Sequence, residues 1–200
     1  QRALLTHEAD IAVNCIKDMS VFPTPGLTLS AICQRDDPSD AFVSTRYRQL
    51  KDLPQGATIG TASPRRQAIL QSLRPDCKIA LCRGNVNTRL KKLENKKFDA
   101  IILATAGLHR LGFQSYIQST FDVETMIPAI GQGALGIECR SDDQETQSLI
   151  QTLHDPITAQ CVKAERAVNR DLKGNCFSPI GAYATYCDHQ LSLSAFVGSL

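Results

Sequence analysis

The first chemical signal in the chain is where its arginines fall. Arg65-Arg66 follow Thr61-Ala62-Ser63-Pro64, Arg83 precedes Gly84-Asn85 with Arg89 shortly after, and Arg110 follows Thr105-Ala106-Gly107. A guanidinium offers a planar fork of N–H donors that meets a carboxylate or phosphate with two bonds at once. Ser63 before Pro64 is a helix-start pattern, and a helix start adds unpaired backbone N–H groups and a positive dipole end. Such a set suits a small ligand with several carboxylates or phosphates. For any one arginine, a solvated surface position is the ordinary alternative. No Walker pattern and no G-x-G-x-x-G occurs, so a nucleotide is not specifically signalled.

Asp18 is the second candidate. It closes the apolar run Asp10–Ile16, and a carboxylate there is costly unless paired or used. It either caps the following turn or supplies the one negative charge facing the arginines, where it can accept hydrogen bonds from N–H groups or hold a ligand cation. Lys17 beside it alternates to the other side. Cys176 is the third, in the polar loop Gly174-Asn175-Cys176-Phe177-Ser178-Pro179. An exposed loop thiol can ionise and be alkylated, while an ordinary inert loop cysteine is the alternative. The other cysteines form no C-x-x-C pair. Cys33 and Cys139 read as small buried hydrophobes, as does Cys15, for which a second reactive thiol is the alternative. The four histidines are scattered without metal-ligand spacing.

These residues need elements to position them. Asp10–Ile16 reads as a buried strand and Leu27–Ile32 as another; Asp36-Asp37-Pro38-Ser39-Asp40 is a breaker-rich crossing. Three strands then alternate with helices. Ala57–Gly60, Lys78–Cys82 and Phe98–Ala104 are the strands; Ser63 caps a helix to Leu73, and Val86–Leu93 forms the second. This β-α-β-α-β order predicts a parallel sheet with helices on its faces, and in such sheets ligands sit beyond the carboxyl ends of the strands, where all five arginines fall. Gly131-Gln132-Gly133 leads into a further strand-like run. Helices are expected over 143–153 and 158–172, then a hairpin from Gly181 toward Leu193.

Composition bounds the reading. The chain has 200 residues, 42% hydrophobic and 21% charged, enough for a real core. A net charge of +2 and an aromatic content of 6% without Trp argue against a nucleic-acid partner. No apolar run is long enough for a membrane span, and no secretory signal opens the chain, so a reducing cytoplasm fits its free cysteines. The opening Gln1–Leu5 reads like the middle of a helix, and the expectation is that an N-terminal part is missing.

The motifs together resemble the hydroxymethylbilane synthase (porphobilinogen deaminase) family. They are Ala9–Val13 with Lys17-Asp18; Gly60–Ser63 with Arg65-Arg66-Gln67; Arg83–Val86 with Thr88-Arg89-Leu90; Ala100–Ala104; Gly107-Leu108 with Arg110-Leu111-Gly112; Pro128–Ala134; and Gly174, Cys176 and Pro179–Gly181. Their order and spacing cover nearly the whole chain. The resemblance implies an α/β protein: two domains like the halves of type II periplasmic binding proteins, and a small α/β third domain. The divisions are 1–33 with 134–153, 34–133, and 154–200, the first and last incomplete. It implies a dipyrromethane cofactor joined by a thioether to Cys176, with Asp18 as catalytic carboxylate. Lys17, Thr61, Ser63, Arg65, Arg66, Arg83, Arg89, Arg110 and Gln132 would bind cofactor and chain. The substrate would be porphobilinogen, four molecules being condensed with loss of ammonia by a cytoplasmic monomer without membrane or nucleic-acid partners. The chain departs from the family pattern at Asn14-Cys15-Ile16, at Ala62 and Pro64, and around Cys176. A piece of this length, expressed alone, is expected to be unstable or inactive. A non-catalytic binding protein for a polyanionic small molecule would share the fold and the arginines.

Overall fold

A computed structural model describes residues 1–175 and 178–199. Three sheets organise it. The largest contains β3 (Asp40–Val43), β4 (Thr58–Thr61), β5 (Lys78–Leu81), β6 (Ala100–Ala104) and β7 (Ile117–Thr120), in the order β5-β4-β6-β3-β7. As expected from the alternating strands and helices, β4 runs parallel to β5 and to β6. Two antiparallel strands, β3 and β7, extend this sheet beyond what the sequence pattern suggests. Side chains alternate across it with period two. Phe42, Ile59, Ala100 and Ile102 face one core, and Ala41, Val43, Ile101 and Leu103 face the other. Helix α2 (Pro64–Leu73) covers the first side, while α3 (Val86–Glu94) and α4 (Thr105–Arg110) cover the second.

The second sheet orders β1 (Ala12–Cys15), β8 (Leu135–Arg140) and β2 (Leu27–Ile32), with β8 antiparallel to both neighbours. Here the expectation of a buried first strand is corrected. β1 is an edge strand paired only to β8, and Val13 is 56% exposed. Cys15 is likewise exposed rather than packed. The run was apolar enough for burial, but one of its faces meets no other element among the described residues. Helices α1 (Arg2–Leu5) and α5 (Gln144–Ile150) flank this sheet, and Arg140 ties its margin together through Asp10, Asp143 and the carbonyls of Leu4 and Ala9. Helix α6 (Pro156–Asp171) then leads to the hairpin of β9 (Ile180–Cys187) and β10 (Gln190–Val197).

Two chain crossings join the first two sheets, residues 33–39 and 121–134. They are pinned together where Asp36 N–H donates to Gly133 O (3.2 Å) and Cys33 N–H to Leu135 O (2.9 Å). Gly131 and Gly133 both have positive φ, at 70° and 88°. A Cβ at the first would run into the Ile16 side chain, and at the second into the Asp36 carbonyl. Only glycine supplies that backbone at that spacing, which is how the intervening Gln132 comes to be buried to 1% exposure. Where the crossings meet α6, Glu165 is wholly buried. It accepts two bonds from the Arg35 guanidinium (2.8 and 3.0 Å) and one each from the N–H groups of Gly131 and Ala184 (2.7 and 2.9 Å). One carboxylate thus holds α6, both crossings and β9.

Candidate functional site

A cavity of about 500 Å³ opens between the two larger sheets and the start of the hairpin region. Lys17 and Asp18 enter it from the short 3-10 turn Ile16–Asp18 that ends β1. Ser63, Arg65 and Arg66 enter from the start of α2, and Arg89 from α3. Gln132 lines it from the crossing, and Asn175 and Ser178 from the loop after α6. Of the cysteine loop itself, Cys176 lies outside the described residues.

Local sequence explains the arginine side. Ser63 Oγ accepts the Arg66 N–H at 3.4 Å, with Pro64 in the first turn, so α2 starts where β4 delivers the chain to the sheet edge. The inward face of α2 is Arg65, Arg66, Ile69 and Leu70. Its first turn therefore buries two guanidiniums where an ordinary amphipathic helix would bury aliphatics. They are 3% and 6% exposed. Such burial is tolerable only with partners. Asp40 on β3, with no exposed surface, accepts from Arg65 Nη2 (2.8 Å), Arg66 Nε (3.0 Å) and Arg66 Nη2 (2.6 Å). Carbonyls of Ile127 and Ile102 take one further bond each from Arg65 and Arg66. Burial alone would raise the Asp40 carboxyl, but the two guanidiniums and their hydrogen bonds hold it well below the ordinary carboxylate range. A guanidinium has five N–H groups, so both arginines keep donors beyond these bonds.

Arg89 is less enclosed. Its Nε donates to Gly84 O at 2.7 Å, and α3 begins on Asn85, whose Oδ1 accepts from Thr88 N–H (2.9 Å). Burial lowers its guanidinium somewhat. Lys17 is shifted further, down to about 8, by burial first and the Arg66 charge second, against the raising influence of Asp18, Asp40 and Cys15. Asp18 is exposed.

Lys17, Asp18, Ser63, Arg65, Arg66, Arg89 and Gln132 therefore meet at one cavity. Thr61, Arg83 and Arg110 stand outside its lining. Thr61 Oγ1 accepts the Ser63 N–H (3.2 Å), bracing the approach to α2. Arg83 is exposed at the end of β5. Arg110 Nη2 donates to Gly133 O (2.6 Å), and its Nε lies 3.6 Å from Asp36, so it grips the crossings. Two residues were not singled out by sequence. Arg166 of α6 lines the cavity and donates to Ser20 O at 2.5 Å. It lies mid-helix, with no strand end or turn to mark it. Asp40 lies at the end of the breaker-rich stretch, which reads as a polar loop.

Among the described residues, the cavity wall thus carries Lys17, Arg65, Arg66, Arg89 and Arg166 against the lone acid Asp18. A family model described as porphobilinogen deaminase, dipyromethane cofactor binding domain, matches residues 1–148. The chain belongs to the porphobilinogen deaminase family. The family's C-terminal domain model matches residues 159–200. Porphobilinogen deaminases of Thiobacillus denitrificans and Coxiella burnetii are both 51% identical to it, over 98% and 100% of the chain. The chain spans 64% of the length of each. Among solved structures, a putative methionine-binding lipoprotein of Bacillus subtilis aligns with a TM-score of 0.53 at 16% identity, covering 80% of this chain and 76% of that one. A periplasmic substrate-binding protein of an ABC transporter from Coxiella burnetii aligns at 0.51 and 14% identity, covering 84% and 80%. The fold is thus the α/β fold of periplasmic binding proteins, type II, as the resemblance implied.

The donor set suits the family's cofactor. Dipyrromethane bears acetate and propionate groups on both rings, and the cavity offers guanidinium and ammonium groups with Ser63 among them. Among the described residues, the one acid on the wall stands exposed, without the ion pairs that consume Asp40.

Proposed function

We propose that the protein to which this chain belongs is a hydroxymethylbilane synthase. It condenses four porphobilinogens head to tail, releasing ammonia, into a linear tetrapyrrole. The observation that carries this reading is the single solvated carboxylate, Asp18, at a cavity whose other charged groups are cations. A pure anion-binding site has no use for that acid. A reaction in which a pyrrole loses ammonia and becomes electron-poor needs one negative charge beside it and positive charges for its carboxylates.

The roles follow from chemistry. Lys17, Ser63, Arg66, Arg89 and Arg166 would hold the acetate and propionate groups, with Arg65 behind them. Cys176 would hold dipyrromethane through a thioether, and that group would supply the free α-carbon for chain growth. Asp18 accepts hydrogen bonds from pyrrole N–H groups and stabilises positive charge as ammonia departs. It also delivers a proton at the leaving nitrogen and recovers one from the α-carbon. Thr61 and Arg110 support the site from outside the cavity, through the α2 approach and the crossings, and Arg83 would meet ligand carboxylates from its exposed place beyond β5. Gln132 lines the cavity while fixing its neighbours.

The three sheets support the proposed division into 1–33 with 134–153, 34–133 and 154–200. The net charge of +2 and scarcity of aromatics support a small-molecule enzyme without nucleic-acid partners, and the family resemblance is what suggests a cytoplasmic monomer. Among the described residues no helix is long and apolar enough to cross a membrane.

A non-catalytic role draws on the likeness to binding proteins, one of which is titled as methionine-binding. Intact mass and peptide mapping of the full-length protein separate the two. A mass excess of two linked pyrroles on the Cys176 peptide is expected. A bare polypeptide, still bare after incubation with porphobilinogen, would leave the binding role standing and remove the enzyme.

A further inference from the structure

Asp40 does more than neutralise a charge. Its carboxylate takes three bonds from Arg65 and Arg66 and a fourth from Gln132 Nε2 at 2.9 Å. The Gln132 amino group also donates to Pro38 O (2.7 Å) and Ser39 O (3.2 Å). With that end committed to acceptors, the amide can turn only one way. Its Oε1 must face Lys17, and it accepts from Lys17 Nζ at 3.4 Å. The line Arg65/Arg66–Asp40–Gln132–Lys17 runs from the five-stranded sheet through the crossing to the turn that carries Asp18. Asp40 is wholly buried and Gln132 nearly so, and neither spends a hydrogen bond on solvent.

We propose that Asp40 is a positioning residue of the cleft, setting the two arginines directly and Lys17 through Gln132. Its carboxylate reduces the adjacent guanidiniums to one net positive charge, so the pair can grip ligand carboxylates while its repulsion of the lysine opposite is partly offset. The identity of the ligand rests on the function proposed above; the network does not.

Lys17 reports on this network because its ammonium faces Arg66, Asp18, Asp40 and Cys15. In the full-length holoprotein, its titration is followed by ¹³C NMR of a labelled lysine ε-carbon, assigned by Lys17→Met. Gln132→Met removes the acceptor and leaves both Asp40 ion pairs in place. The variant midpoint should fall by about half a unit or more, since the charged amine loses a partner, and kcat/KM should fall about tenfold in the same folded sample. A midpoint that stays put overturns the proposal. So does a shifted midpoint with unchanged kcat/KM, because the network would then serve structure alone. Asp40→Asn should move both readings further in the same direction. If it does not fold, Gln132→Met decides. Wild-type protein without a covalent dipyrromethane would sink the functional reading separately, and the Lys17 midpoint would still test the network.

Discussion

On one side of the cleft, Arg65 and Arg66 are 3% and 6% exposed and bonded to a carboxylate that water does not reach. On the other, Asp18 stands exposed at the end of a strand with one open face. The first side holds its charge by enclosure. Two cores pack the five-stranded sheet, helix caps aim its side chains, and Asp40 balances the arginines. The second side leaves its acid to water and the field of nearby cations. The difference matches the proposed tasks. Groups that hold a polyanion gain from fixed geometry, because preorganisation removes an ordering cost from each binding step. A group that must take and give protons has to reach the reacting atoms themselves.

The sharpest way to break this contrast is to remove the exposed side. Asp18→Ala should lower kcat by about 10²- to 10⁴-fold, the usual worth of a positioned acid or base. Its effect on thermal stability should be small, since the side chain is exposed. Rapid mixing with porphobilinogen and Tm measurement on the same sample check both halves. Normal turnover would take Asp18 out of the mechanism. A large loss of Tm would show that it is held by structure after all, like its counterpart Asp40.

The same contrast decides what was legible in the sequence. β4, α2, β5, α3 and β6 could be read because strand and helix periods and caps repeat there without a break, and the arginine edge followed from that order. β3 could not. Its first residue ends the run Asp36–Asp40, and a charged residue after Pro and Ser reads as a loop unless the two guanidiniums that neutralise it are already in view. β1 was recognised as a strand, but its burial depends on what packs against it, which local pattern does not contain. Lys17 and Asp18 were legible as a pair, yet the alternation assigned to them fails because the chain turns into a 3-10 helix at Ile16. Arg166 was silent, since an arginine within a long helix is ordinarily a solvated one.

A second prediction concerns the joint between the two sides. Glu165→Ala would leave Arg35 buried without its carboxylate and strip the N–H groups of Gly131 and Ala184 of their acceptor. Breaking one partner of a buried pair costs about 3–5 kcal/mol. Urea unfolding should show that loss. Catalysis in the folded fraction should change far less than in Asp18→Ala, because Glu165 lies behind the cavity wall rather than on it. Equal damage to rate and stability would mean that the crossings, and not the cavity residues, limit turnover.

The smallest effect sharpens the enclosed side itself. Asn85 and Asp155 are both N-caps, accepting the N–H of Thr88 at 2.9 Å and of Thr158 at 2.7 Å. Replacing either by Ala should cost about 1 kcal/mol. The helices they start differ. α6 has 16 residues, several of them buried, so its first turn can fray without disturbing Arg166, more than two turns further along. α3 has nine, and Arg89 sits one turn from its cap, with its Nε bonded to the carbonyl of Gly84 just upstream. Fraying there loosens the guanidinium directly. Asn85→Ala should therefore raise KM for porphobilinogen by a factor of about two to five, if the cap's 1 kcal/mol is felt at the binding site, with kcat little changed. Asp155→Ala should leave both constants alone at the same cost in stability. Equal KM values in the two variants would show that Arg89 is held by something other than the start of its helix.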